Sequence, residues 1–325
     1  MVKAWFRRPT LSVVVIVYNM HREAPRTLYS LSEHYQRGIS ARDYEVIVVD
    51  NGSVPPFPAA QVKQQAGRFA YFYIDQARPS PASAVNFGVR QSRGEYVGIM
   101  IDGARMVSPG LLHYALRAFR AFRNPVVTTL AWHLGPAIHR QAVEQFGYNR
   151  DMEDQLLERI RWPEDGYRLF EIATLAGSSR DGWFAPKSES SSLFLHRKSF
   201  DRLGGFDERF DLPGGGFVNM DTYIRACEMP DSELVMLLGE GTFHQMHGGV
   251  MTGATAEESQ QKLVAWAAQY EALRHVPLRP PQKAPHYIGH VPPAALPSVL
   301  TSAEVALHGR QEHEDTRRQR AEDMG

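Results

Sequence analysis

Four short apolar, largely β-branched runs, Leu11 to Tyr18, Tyr44 to Val49, Ala70 to Ile74 and Tyr96 to Ile101, alternate with helical segments up to Phe119. A run that is apolar on consecutive positions suits a strand covered on both faces rather than one with a wet side. Strand and helix repeated in this order call for a parallel sheet wrapped by right-handed crossovers. The intervening helices carry their own signals. Leu28, Leu31 and Tyr35 share one face, and Ser80 and Pro81 open a helix that turns Ala84, Val85, Gly88 and Val89 inward. Ser108, Pro109 and Gly110 open another, with Leu111, Leu112, Ala115, Leu116 and Phe119 at helical spacing. There the serine is expected to cap and the proline to take the first helical position. A fifth strand is expected over Val126 to Trp132.

Beyond His133 the pattern changes. Asp151 to Arg161 and Tyr167 to Ala176 read as helices, and Ser191 to His196 as a strand left by a turn through Gly204 to Glu208. Asn219 to Ala226 is a short helix with Asp221 in its first turn. Leu234 to Leu238 reads as the last buried strand, followed by a Gly239 to Gly249 loop that contains His244 and His247. Thr255 to Leu273 reads as a helix. The proline-rich stretch Pro277 to Pro297 is expected to be an extended strap, and the charged segment Ala303 to Gly325 a frayed helix or a disordered tail. These shifts divide the chain at 1–132, 133–254 and 255–325.

Lysine plus arginine and aspartate plus glutamate balance at 36 each, so no global field draws the chain to nucleic acid or an acidic membrane. The single cysteine, Cys227, can form neither an intrachain disulfide nor a thiolate metal cage. The first apolar run is too short to span a bilayer and lacks a secretory layout. The expectation is a soluble, cytoplasmic protein with no transmembrane segment.

Three carboxylates, Asp50, Asp102 and Asp221, and the pair His244 and His247 fall at element ends that such a sheet can gather. Asp102 follows the central strand, and ligands of open parallel sheets bind at the carboxyl ends of strands. A divalent metal held by a carboxylate and an imidazole would neutralise phosphate charge, while another carboxylate could act as general base. The plainer alternatives are a turn residue for Asp50, a helix-terminal charge for Asp221 and hydrogen-bonding loop histidines. Trp162, Trp183 and Phe184 suit core packing better than sugar stacking. The segment HQMHGG lacks the glutamate of a His-Glu-x-x-His metalloprotease helix.

The ordered segments SVVVIVYN (12–19), EVIVVDNGS (45–53), ASAVNFGVRQSRGEYVGIMID (82–102) and LGGFDERF (203–210) resemble a family 2 glycosyltransferase of the GT-A fold, over about Leu11 to Gly249. The resemblance implies an α/β fold whose mostly parallel sheet is flanked by helices. It makes 1–132 the nucleotide-sugar half and 133–254 the acceptor and catalytic half, with 255–325 appended. It implies a hexosyltransferase-type enzyme that moves a sugar from a nucleoside diphosphate, with uridine as the nucleoside, to a hydroxyl acceptor with inversion. Asp50 would touch the base, Val17, Tyr18 and Asn19 would lie close by, and Asn86 would lie near the ribose or diphosphate. Asp102 matches the first carboxylate of the family's Asp-x-Asp metal motif, but Ala104 stands at the second. Manganese or magnesium would then rest on Asp102 with His244 or His247, or else Arg105 would handle the diphosphate without metal. Where the family shows a Glu-Asp pair, this chain has Val218 to Asp221. Asn219 cannot take a proton, which leaves Asp221 as the expected base. Ala104 and Asn219 also motivate a rival reading, a non-catalytic scaffold or binding protein. A sugar-nucleotide pyrophosphorylase would want a basic glycine-rich loop where Tyr18, Asn19 and Met20 stand.

Overall fold

The computed structural model describes residues 8–187, 191–249 and 255–309. Ten strands join in one mixed sheet: β1 Leu11–Val17, β2 Tyr44–Asp50, β3 Phe69–Tyr73, β4 Tyr96–Met100, β5 Arg105–Val107, β6 Pro125–Leu134, β7 Ala173–Leu175, β8 Leu193–His196, β9 Glu233–His244 and β10 His286–Gly289. Their order is β10-β9-β6-β8-β4-β1-β2-β3, with β5 on β9 and β7 on β6. The first four main strands pair in parallel as the alternation requires, while β8 runs antiparallel between β4 and β6. Val17 stands opposite Asp50, and Val15 opposite Met100. The carboxyl ends of β1, β2 and β4 therefore share one edge of the sheet.

The helices are α1 Ala24–Ser30, α2 Ala59–Lys63, α3 Ala82–Gln91, α4 Leu111–Ala121, α5 His139–Phe146, α6 Arg150–Ile160, α7 Arg197–Arg202, α8 Val218–Glu228, α9 Ala256–Arg274 and α10 Leu296–His308. Alternate residues of β1 enter two separate cores. Val13 and Val15 pack with Leu28, Leu112 and Leu116, whereas Val14 and Ile16 pack with Val85, Val89 and Tyr223. Coverage of both faces explains why these strands are apolar at every position. Each such side chain contributes about 1.5–3 kcal/mol on burial. A third core holds Trp132, Trp162, Phe170, Trp183 and Phe243, with Phe184 packed against it. Trp162 and Trp183 are thus packing residues.

Several sequence expectations change. The last buried strand does not stop at Leu238: β9 continues through Gly239, which adopts φ 78°, and ends at His244. Its register with β6 shifts between Thr128 and Leu130, so the glycine-rich stretch is an irregularity within a strand rather than a loop. The strap contains β10, paired in parallel with β9, and Pro297 lies in the first turn of α10. Residues 167–176 form a 3-10 turn over Gly166–Ile172 and then β7. Ser108 caps no helix; its hydroxyl donates to the Glu240 carboxylate and accepts from the Gly241 amide. Residues 310–325 of the charged tail lie outside the described residues. β6 runs across the 132/133 boundary, so both halves share one sheet. Among the described residues no helix is long and apolar enough to cross a membrane.

Candidate active site

Beyond β4 the chain turns sharply against the end of β1. A Cβ on Gly103 would lie 2.5 Å from Val17 Cγ1 and 2.8 Å from the Ile16 carbonyl, so only glycine permits this approach. The Ala104 amide donates to Asp102 Oδ1 at 2.9 Å, which leaves Oδ2 facing the end of β9. There His244 Nε2 lies 2.9 Å and His247 Nε2 3.7 Å from Oδ2, and the two imidazole nitrogens are 2.9 Å apart. The Asp102, His244 and His247 ligand atoms all fall within 4.8 Å of one another, a group able to hold a divalent ion. One carboxylate and two imidazoles suit manganese better than magnesium, which prefers oxygen ligands. Ala104 is buried in the core. The second motif position therefore faces away, and histidines from β9 and the following loop stand beside Asp102 instead.

Arg105 sits opposite His244 in the β5–β9 register, and its Nε lies 3.6 Å from Asp102 Oδ2. Both Nε and Nη1 of Arg105 are buried without a hydrogen-bond partner. Burial opposes charge on Asp102, but His244 and His247 beside it hold the carboxyl well below its usual range. Burial, then Arg105, push His244 down to about 4. His247 is also penalised by burial, yet Asp102 raises it above its ordinary value.

The loop that carries His247 is fastened on both sides. Gln245 donates through its amide to the Ala104 carbonyl at 2.9 Å and through its side chain to the Glu23 carbonyl at 3.0 Å. The Met246 amide donates to buried Glu153 at 2.7 Å, and Arg22 joins Glu153 to the Met246 carbonyl. Arg22, Glu153 and Gln245 were not legible as site residues. In sequence they are a turn arginine, a helical glutamate and a loop glutamine far apart in the chain.

The other expected residues sit in different surroundings. Asp50 is fully buried, accepting from the Ser53 and Phe57 amides at 2.8 and 2.7 Å and from the Tyr71 hydroxyl at 3.0 Å. It organises the turn after β2 instead of offering a free edge. The neighbouring Asn51 has a buried Oδ1 without a partner. This turn is tied to the β1 end, since Asn19 accepts from the Val54 amide and donates its own to Ser53. Tyr18 between them is exposed. Asn86 is spent on the glycine turn: it donates to the Phe206 carbonyl at 2.9 Å and to Glu208, and accepts from the Phe206 amide. Gly205 there adopts φ 72°, and its Cβ would strike Asn86 Oδ1. Asp221 is fully buried at the start of α8, with Arg225 Nε and Arg274 Nη2 each donating to Oδ2 at 2.8 Å and Arg274 Nε donating to Oδ1. Both arginines, with Asn86 and Asp207, line a cleft of about 390 Å³.

Two further features escaped sequence reasoning. His133 stands opposite His244 across β6–β9, and His139 at the start of α5 packs against both rings at centroid distances of 4.3 and 5.2 Å. Burial, then His244, push His139 down to about 3. Glu240 is buried inside β9, where burial raises it to about 7 against the pull of Ser108 and Tyr167.

Residues 12–158 match the family model for glycosyl transferase family 2. No curated protein sequence matches the chain. Among solved structures, the S. aureus TarS fragment 1–349 in complex with UDP-GlcNAc is 12% identical, with a TM-score of 0.50 over 80% of this chain and 66% of that one. The mannosyltransferase PcManGT from Pyrobaculum calidifontis, in complex with GDP-Man and Mn2+, is 18% identical, with a TM-score of 0.48 over 97% and 80%. At such identities the likeness is one of fold. Residues 12–158, which carry the strand-end carboxylate Asp102, are thus similar to glycosyl transferase family 2, and the mixed sheet is of the GT-A type.

Proposed function

We propose that this enzyme transfers a sugar from a nucleoside diphosphate donor to a hydroxyl acceptor, with Asp102, His244 and His247 as the ligands of a divalent ion. The observation that carries this reading is the pairing of that ligand group with Arg105. Two buried guanidinium N–H groups without hydrogen-bond partners cost about 1–3 kcal/mol each, a cost that diphosphate oxygens would remove. A manganese-class ion, when bound, would neutralise the charge that develops on the leaving diphosphate. Arg105 then orients the diphosphate from the β5 side, and Gln245, Glu153 and Arg22 keep the imidazoles in place before the donor arrives. The nucleoside lies over the linked turns after β1 and β2, where exposed Tyr18 offers a stacking face and Asn51 an unpaired acceptor. Uridine as that nucleoside, and inversion at the anomeric carbon, rest on the family resemblance.

Asp221 does not fit the role of base in this proposal. Both of its oxygens are engaged by arginines and it has no exposed surface, the arrangement of an anion that locks α8 to α9. Proton removal from the acceptor falls to a different group.

The test is a calorimetric titration with uridine diphosphate, in manganese and in chelator, with guanosine diphosphate as the comparison and Asp102→Asn as the variant. Metal-dependent binding that prefers uridine and is lost in the variant supports the reading. Binding that ignores chelator and variant alike leaves the diphosphate to Arg105 alone, and no binding under any condition overturns the proposal.

A further inference from the structure

The imidazoles of His133 and His139 pack against the His244 ring at centroid distances of 5.1 and 5.2 Å, from the β6 side, opposite the β5 strand that carries Arg105. The ligand nitrogens of all three fall within 4.8 Å of one another. His139 is 1% exposed, with the Leu134 backbone beside one ring nitrogen and the other nitrogen without a hydrogen-bond partner. His244 Nδ1 is likewise buried without a partner, although Nε2 of the same ring meets Asp102 and His247. Packing alone does not account for two orphaned ring nitrogens, since each buried unpaired group costs about 1–3 kcal/mol. Apolar rings would fill the same space without that penalty. His133 is partly exposed and gives a path from solvent.

We propose that His133, His139 and His244 form a second metal site, for a zinc-class ion, which competes with the Asp102 site for His244. Three neutral imidazoles with an open fourth position are a donor set that zinc takes, whereas manganese and magnesium favour carboxylate and water oxygens. Tetrahedral coordination at about 2.1 Å sets ligand nitrogens about 3.4 Å apart, so a pair at the 4.8 Å limit needs to close by about 1.4 Å. Arg105 also faces this group, and its charge is balanced by Asp102. The competition follows from the chemistry of the shared ring: a neutral imidazole has one lone pair, with a proton on its other nitrogen. His244 can therefore serve the Asp102 site through Nε2 or the all-histidine site through Nδ1, but not both. Zinc in the second site would withdraw a ligand from the first.

The experiment uses the full chain, stripped with chelator and titrated with cobalt(II), whose visible absorption reports a four- or five-coordinate nitrogen site without any nucleotide present. One equivalent should bind with a strong visible band and be displaced by zinc. His139→Ala and His133→Gln should each weaken this binding at least about 100-fold, more than loss of a supporting partner usually costs, while His247→Ala retains it. Far-UV circular dichroism and melting verify that the variants fold, and His133→Gln, at the partly exposed strand end, decides if the buried substitution does not. Zinc should also raise the apparent Kd of the wild type for uridine diphosphate in manganese, and not that of His139→Ala. Absence of the band in the wild type overturns the proposal. So does a band that survives in His139→Ala and disappears in His247→Ala, which would put the ion on Asp102. Because the cobalt titration needs no nucleotide, its outcome is independent of the donor-binding test.

Discussion

Replacing Asp221 by asparagine separates a locking anion from a catalytic base. The carboxylate receives three arginine N–H donors from two helices and has no exposed surface. Removing one partner of a fully buried charge cluster costs about 3–5 kcal/mol. The Arg274 and Arg225 side chains retain 17% and 24% exposure, and Arg274 keeps Asp207 at 2.8 Å, so water and the remaining carboxylate relieve part of the loss. The discounted figure is about 2–3 kcal/mol, which for a chain of this size lowers Tm by about 5 °C. Thermal melting followed by circular dichroism, with transfer rates measured well below the transition, reads both quantities. The expected result is a lowered Tm, with the transfer rate of the folded fraction within about tenfold of the wild type, short of the 100-fold or greater loss that follows removal of a general base. A variant that melts with the wild type yet loses at least about 100-fold in rate would refute the reasoning and restore Asp221 as the base.

Arg105→Gln should weaken uridine diphosphate binding about 10- to 100-fold, through loss of charge-assisted hydrogen bonds of about 1.5–3 kcal/mol, while manganese binding in the absence of nucleotide is kept or strengthened; paired calorimetric titrations with nucleotide and with metal alone read the two effects. Asp102→Asn should remove the metal dependence of nucleotide binding, checked by the same titration in chelator. Glu240 sets a pH dependence: its folded value of about 7 lies above the ordinary 4.5, so between these values the unfolded chain loses the proton first and stability falls as pH rises. Glu240→Gln, unable to ionise, should escape a penalty that reaches about 3 kcal/mol above pH 7, giving a higher Tm than wild type at pH 8 and a smaller difference at pH 5. A pH-independent difference between the two melting curves would contradict the buried-carboxyl account.

The first half of the fold, β1 to β4 with their helices, was legible in the chain because its information is local. Consecutive apolar runs, cap-and-proline starts and glycine turns specify strands and helices within a few residues, and the crossover rule then orders β1 to β4. Asp102 could be placed at a strand end on the same grounds. The extent of β9 could not, because Gly239, Glu240 and Gly241 have the composition of a turn and only pairing with β6 and β5 carries the strand on to His244. That pairing sets Arg105 and His133 on either side of His244, a neighbourhood with no signature in sequence spacing. Asp50, Asn86 and Asp221 show the converse. By residue type and position each resembles a free functional group, yet tertiary partners occupy their hydrogen-bonding capacity. By itself, the sequence determined the layering, a family resemblance and the place of one carboxylate. Which polar groups remain unsatisfied, and so available to a ligand, was decided only by the tertiary structure, since satisfaction depends on partners that chain folding brings from distant segments.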